Sequence, residues 1–534
     1  MSLDSFVSAP KVFMNRLILL LFLVLPSIGF AQVPGNVQPA KPDTVKPKKG
    51  VTPVDTAEYW KDSLFNRPDP KILKEGAENR PERPRPKRRV FKIRYSDRIQ
   101  YSALIDFPWT AAAGVPTTLT LQKKLTAWED SILPNKIRGD TTLRENRASM
   151  WYRFGKIVII DGTIETLVMA IEQDFFGHLA RSREFKASGL SYQIGAPIPF
   201  FRPMGTMKYD KPVIESKASR QQIAHIAGAA LESGSIATEE LSIRWMQRKS
   251  LFYREALHLL RVQLAGISSV MTVSNSFGST NSAAGDWLYY TNRNYGHTSN
   301  YYYTAGNLKR DYALAAFTNP LLYTSLYSVF YNYMIQGKDS MAIPAIKLGY
   351  GKYVLPWVRF GFTPLGPEWI PEITVTKHRQ VLSFYGRIGS GVFTNSYGGG
   401  IKAYNLVRST KISLNAHVAF WNQPYLFKNW GDQEVTNVGW GGAALVTGSF
   451  LVTKNSTHPM SVVIQAGYKT KGFMEGEIWN ATPVIKVGLS FALDRDYVQD
   501  DTVPQYEEVP RRSSIKADKK KAEIAKKKLK AKYK

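Results

Sequence analysis

Three segments of the chain each bring one imidazole and one carboxylate toward a common helical face. In QDFFGHLARSREF (173–185), Asp174 and His178 stand four residues apart. In the segment 219–248, His225 and Glu232 are separated by seven, and in LFYREALHLL (251–260) Glu255 and His258 form Glu-x-x-His. Separations of three, four and seven keep both side chains on one face of an α-helix. The Glu-x-x-His spacing is the one carboxylate-bridged metal sites use in helix bundles. Were the three faces to converge, Asp174, His178, His225, Glu232, Glu255 and His258 could bind Zn or Mn, as one ion or two. A carboxylate would then remain as general base for hydrolysis. The opposing reading is structural. Arg181, Arg183 and Arg248 could pair with the same carboxylates, and seven histidines is a low count for a chain of 534 residues.

Segment 174–185 resembles the metalloprotease helix that carries HExxH, and it departs from that pattern where it matters. If His178 were the second histidine, Asp174-Phe175 would stand where the His-Glu pair has to be. HIAGAALES (225–233) has Ala229 at the corresponding place. GSTNS (278–282) offers serines without a nucleophile elbow, and no phosphate-binding or dinucleotide fingerprint occurs. YGGG (397–400) reads as close packing or a bulge in a strand. The Tyr/Asn-rich run DWLYYTNRNYGHTSNYYY (286–303) suits either stacking on sugars or a membrane interface.

The elements that must position these groups change character along the chain. Apolar residues recur every three to four positions over 165–185, 219–248, 251–271 and 311–335, which predicts helices. Gly228 and Gly234 should weaken the second, and Pro320 should kink or break the last. From about residue 340 the period becomes two. In KISLNAHVAFW (411–421), Ile412, Leu414, Ala416, Val418 and Phe420 alternate with Lys411, Ser413, Asn415, His417 and Ala419. PMSVVIQAGY (459–468) and VIKVGLSFAL (484–493) alternate likewise, and candidates near 354–362, 367–377, 380–389, 396–406 and 438–452 complete about eight strands. The predicted fold class is α+β, a helical region followed by an antiparallel sheet.

The ends of the chain address location. Met14-Asn-Arg16 precedes the apolar run Leu17–Ala31, broken by Pro26 and closed by small residues, which reads as a signal peptide cleaved after Ala31. Residues 32–90 form a Pro- and Lys-rich linker too polar to bury a core. The absence of cysteine excludes disulfides, thiolate metal sites and a cysteine nucleophile. The net charge of +28 does not point to nucleic acid. Segment 33–94 carries +8 of it and the tail 511–534 carries +10, both outside the predicted folded part.

Strands of about ten residues, apolar on one side and small or polar on the other, suit a barrel in lipid; a soluble sandwich or lipocalin-like barrel also alternates. Trp357, Trp369, Trp421 and Trp440 fall at or near strand ends, where interfacial aromatics are expected. A signal peptide with a strand repertoire closing on VGLSFAL resembles Gram-negative outer-membrane β-barrel proteins over roughly the last third of the chain. The resemblance implies a transmembrane barrel of about eight strands at 339–495, a helical membrane-proximal domain at 91–338, and a basic tail at 496–534 in the periplasm. It implies outer-membrane lipid as a partner and peptidoglycan or another periplasmic partner for the tail. With Ser413, Asn415, His417, Lys486 and Ser490 pointing inward, eight strands enclose little beyond their own side chains. The expected role is an envelope anchor, scaffold or transport-related component. The alternative is a membrane-associated, metal-dependent hydrolase.

Overall fold

A computed structural model of the chain describes residues 99–492, apart from 108, 133–142, 188–189, 195–204, 209–218, 275–281, 296–302, 350, 378, 390–395, 408, 410, 426–436 and 454–458. The signal peptide, the linker and the basic tail lie outside the described residues. The described ones belong to one compact unit, Phe91–Lys534.

The helical part begins with α1 (Ala111–Ile132) and a long composite helix. The latter runs through α2 (Leu143–Lys156), a π-helical turn (Ile157–Asp161), α3 (Gly162–Ala170), a second π-helical stretch (Ile171–His178) and α4 (Leu179–Glu184). Next come α5 (Arg220–Arg248), α6 (Tyr253–Met271), α7 (Ala283–Tyr295), α8 (Ala305–Thr318) and α9 (Pro320–Leu326), the last continuing as π-helix through Tyr327–Ile335. Pro320 does break the apolar run: Asn319 caps the new helix and Pro320 takes its first position, where a missing N–H costs nothing.

Helix α5 is the axis of the molecule. Ser219 and Gln222 form a reciprocal capping box at its start, and at about 1.5 Å per residue its 29 residues extend roughly 43 Å. It is buried on every side. Gly228 and Gly234 do not weaken it, because close packing requires them. A methyl group on Gly228 would meet Trp287 at 2.9 Å, and one on Gly234 would meet Val262 at 2.8 Å. Where the second π-helical stretch crosses α5, a methyl on Gly177 would lie 2.9 Å from the Ala229 carbonyl oxygen.

The described strands form one ten-stranded antiparallel sheet and two small two-stranded sheets. The small sheets pair β2 (Ser191–Ile194) with β3 (Gly205–Lys208), and β4 (Ser250–Phe252) with β5 (Ser340–Ala342). In the large sheet a meander runs from β6 (Ile346–Gly349) through β7 (Lys352–Thr363), β8 (Gly366–Lys377), β9 (Gln380–Gly389), β10 (Tyr397–Tyr404), β11 (Ile412–Tyr425), β12 (Asn437–Leu451) and β13 (Met460–Lys469) to β14 (Thr482–Phe491). The tenth strand, β1 (Tyr101–Ile105), precedes every helix and pairs with β14, Tyr101 opposite Phe491. The α+β class holds, whereas the expected barrel of about eight strands is corrected. The sheet has ten strands and, among the described residues, it is not closed: β1 and β6 are its edges. Two strands escaped the periodicity because five-residue β1 and four-residue β6 are too short to display one.

The polarity of the sheet is inverted. In β11, Val418 and Phe420 are more than half exposed, while Ser413 on the opposite face is 1% exposed. In β14, Ile485 is 64% exposed and Lys486 beside it 1%. The same alternation runs through Leu382, Phe384 and Ile388 of β9 against Ser383 and Arg387, and through Ile464 and Tyr468 of β13 against Ser461 and Lys469. The sheet curves around α5, enclosing its polar face and presenting the apolar one outward.

Candidate functional site

The polar face of the sheet, α5 and the segment between β13 and β14 are joined by buried ion pairs, with the cations on strands and the anions shared among α5, β8 and that segment. Arg359 of β7 is the hub. Its Nη2 donates to Glu239 of α5 at 2.8 Å, and its Nη1 donates to Glu475 at 2.6 Å and to Ser235 at 2.8 Å. Its Nε lies 3.4 Å from Glu372 of β8. Lys402 of β10 also donates to Glu239, and Lys486 of β14 to Glu477. Arg387 of β9 holds Glu368 at 2.6 Å and donates to the Phe473 carbonyl at 3.0 Å. Stripping water from such charges is costly unless each finds a partner, and here each of these does.

Glu475 and Glu477 belong to the connection between β13 and β14, residues 470–481, which folds inward against the helices. Its backbone is held by side chains. The amide of Gly476 donates to Glu232 at 2.7 Å, that of Trp479 to Glu184 at 2.5 Å, and the carbonyl of Glu477 accepts from Arg181 at 2.6 Å. Gly476 has φ of +76°, and a methyl there would meet Ala112 at 2.8 Å, so glycine is required twice over. Between this connection, α5 and strands β10–β14 lies a cavity of about 200 Å³. Its lining includes Glu240, Arg244, His417, Gln465 and both members of the Lys486–Glu477 pair. The lining is mixed, with Leu104, Ile236, Leu445 and Met474 beside the charges and amides, and the cavity has room for several waters or a small solute.

The six residues singled out in the sequence fall into separate clusters. His225 and Glu232 do meet, with Nε2 and Oε2 3.3 Å apart. Glu232 is already engaged, however, by Arg181 through Nε and Nη2 and by the Gly476 amide. Burial would raise the Glu232 carboxyl, but Arg181 and His225 outweigh it and hold the pKa down at about 2. Burial and the Arg181 charge lower the His225 imidazole, which sits among Phe185, Phe473 and Trp479 with ring centroids 5.2–6.3 Å away. Asp174 and His178 share no hydrogen bond or ion pair. The helix there is π-helical, which shifts the register on which their spacing was read, and His178 Nδ1 donates to the Ile226 carbonyl at 2.7 Å. Glu255 turns away from His258 toward Arg248, Trp245 Nε1 at 2.8 Å and Tyr101 at 3.3 Å.

His258 instead lies between two carboxylates that the sequence did not nominate. Its Nδ1 is 2.7 Å from Glu165 and its Nε2 3.1 Å from Glu172, all three fully buried. Burial would lower the His258 imidazole, but Glu172 and Glu165 outweigh it and hold its pKa up at about 10, so the imidazolium, with both ring N–H groups donating, is the form this geometry favours. Among the described residues, no group of three or more His, Asp or Glu is arranged to hold a metal ion. The interior residues missed in the sequence (Arg359, Glu372, Arg387 and Lys402) did carry a signal. Each is a charge at an inward position of a strand whose outward positions are mostly apolar.

No family model, curated protein or solved structure matches the chain.

Proposed function

We propose that the chain is an exported outer-membrane protein whose sheet is a transmembrane wall, apolar face toward lipid and ionic face around α5. The observation that carries this reading is the inversion of polarity across the sheet. From β8 to β14 the outward residues among those described include Ile373, Leu382, Phe384, Ile388, Val418, Ile464, Ile485 and Val487, and the charge among them is Lys377 at the end of β8. An apolar surface of this extent in water would drive association, whereas in hydrocarbon it is the ordinary exterior of a barrel strand. Strands of ten to fifteen residues also have the length that a tilted crossing needs.

The interior narrows the role. With α5, the 470–481 connection and paired charges filling the space inside the sheet, a wide diffusion pore does not fit. An anchor, a scaffold or a component handling small polar cargo does. The hydrolase alternative lacks a ligand group among the described residues. The basic tail would then serve a periplasmic partner, with peptidoglycan or anionic lipid as the matching chemistry. The test is membrane fractionation of the expressed full chain, followed by carbonate extraction at high pH. Retention in the outer-membrane pellet and a need for detergent to stay monodisperse are expected. Release into the wash, with a monodisperse protein in plain buffer, would overturn the reading.

A further inference from the structure

The sheet leaves a gap between β1 and β6, and the elements bridging it are helices. Contacts run without interruption from β1 to α1, from α1 to α3, from α3 to α6, from α6 to α8 and from α8 to β7. The helical surface along this path repeats the inversion seen in the sheet, at a period of 3.6 instead of two.

The composite helix shows it best. Between Ile157 and Glu172 its acidic residues are Asp161, Glu165 and Glu172, and all three are buried, at 2%, 1% and 0% exposure. Asp161 meets Lys156 at 3.2 Å and the Tyr253 hydroxyl at 3.2 Å, while Glu165 and Glu172 enclose His258. The opposite face carries Val158, Ile159, Ile160, Ile164, Leu167 and Ile171, and Ile159 is 66% exposed. An amphipathic helix in water turns the other way, charges out. Helix α6 repeats the arrangement, with Glu255 and His258 buried and Leu264 outward. Along α8, α9 and the π-helix that follows, no charged residue occurs from Tyr312 to Gly337, and Leu314, Tyr323 and Tyr327 are about half exposed. Exposed Trp128 and Trp151 lie toward the end of this surface marked by the Lys156–Glu129 pair, where an interfacial aromatic belongs.

We propose that this helical surface is a second stretch of hydrocarbon-facing wall, filling the gap between β1 and β6, so that lipid acyl chains contact helices and strands alike. The inference rests on the transmembrane reading of the sheet and goes beyond it, because it puts the helices in the bilayer and not merely near it. No helix among the described residues is long and apolar enough to cross a membrane by itself. The proposed wall is composite: the 157–172 stretch and α6 turn apolar residues outward with their carboxylates sealed inside, α9 and the π-helix after it carry no charge, and the charges that α1 and α8 expose are Lys124 and, near the start of α8, Arg310.

The chain has no cysteine, so single substitutions give unique attachment points. Ile159→Cys, Leu264→Cys and Leu314→Cys on the helices, with Val418→Cys and Ile485→Cys on the sheet, would each carry a nitroxide in the full chain reconstituted in phosphatidylcholine vesicles. Tyr327→Cys replaces any helical variant that fails to fold. The expected result is collision with oxygen exceeding collision with a water-soluble nickel chelate at all five sites. Sheet labels in lipid with helical labels in contact with the chelate would overturn the helical wall and leave the sheet's assignment standing. All five in contact with the chelate would overturn both. Helical labels shielded from both reagents and broadened by a like spin would show a second copy of the chain on that face, and would overturn the proposal too.

Discussion

The sheet and the helical region solve the same packing problem with different periods. In β14 the alternation of Ile485, Val487 and Leu489 with Lys486 and Ser490 assigns each residue a face, and a buried lysine in the middle of an apolar strand tells which face is inside. In the composite helix, Asp161, Glu165 and Glu172 define a face just as clearly, yet the ordinary rule for helices in water turns it outward. The difference teaches that periodicity reveals two faces without naming their surroundings. What names them is the count of complementary charges available to seal the polar face.

The comparison is broken most severely by removing the hub of the polar interior. Arg359→Ala leaves Glu239, Glu372 and Glu475 buried around an absent cation, a loss of about 3–5 kcal/mol. Urea unfolding in detergent micelles should show it, and an unchanged midpoint would mean those carboxylates have other partners. A charge on the outer faces comes next. Val418→Arg should destabilise the protein in vesicles by about 2–4 kcal/mol if that position lies near the bilayer midplane. Leu264→Arg should cost a similar amount if sheet and helices share one solvent, and unfolding the two variants in parallel decides it. A smaller effect is expected where α5 meets the π-helical stretch. Gly177→Ala places a methyl against the Ala229 carbonyl and should cost about 1–3 kcal/mol, visible as a lower thermal midpoint.

The gentlest perturbation is acid. Glu232 is held at about pKa 2 in the folded protein, against an ordinary value near 4.3, so its grip on the Gly476 amide and Arg181 is complete above the unfolded value. That contribution falls away as pH drops from about 4.3 toward 2. Pepsin should therefore cut within 470–481 at low pH while the sheet stays intact. Glu232→Gln should show the same susceptibility with less dependence on pH.

Much of the sheet was legible from residues alone, because strands β8, β9, β11, β13 and β14 each carry enough positions for a period of two to stand out. The edges were not: β1 is too short, and its partner lies at the other end of the chain. The helical stretches at 165–185, 219–248, 251–271 and 311–335 were placed, whereas α1, α2 and α7 were not; the facing of the placed ones was not read either, and the three π-helical stretches leave no mark in composition. For the site, spacing found the His225–Glu232 contact, and the salt-bridge reading held for two of its three arginines: Arg181 pairs with Glu232 and Arg248 with Glu255. Spacing also paired His258 with Glu255, its neighbour on one helix, whereas the fold supplies Glu165 and Glu172 from another. Long-range partners of a buried charge cannot be read from the charge's own helix.

The pairing of β1 with β14 sets an order of events. Among the described strands β1 is made first and has no place in the sheet until β14, the last of them, is made; β14 then joins β13 on one side and β1 on the other. Every strand from β6 to β13 can find its neighbour as the chain emerges, while β1 must wait, its outer residue Ile105 unsheltered, for a partner nearly four hundred residues away. A chain stopped a dozen residues before Phe491 would lose two ladders, not one. Quality control that inspects the last strand therefore inspects the first one too.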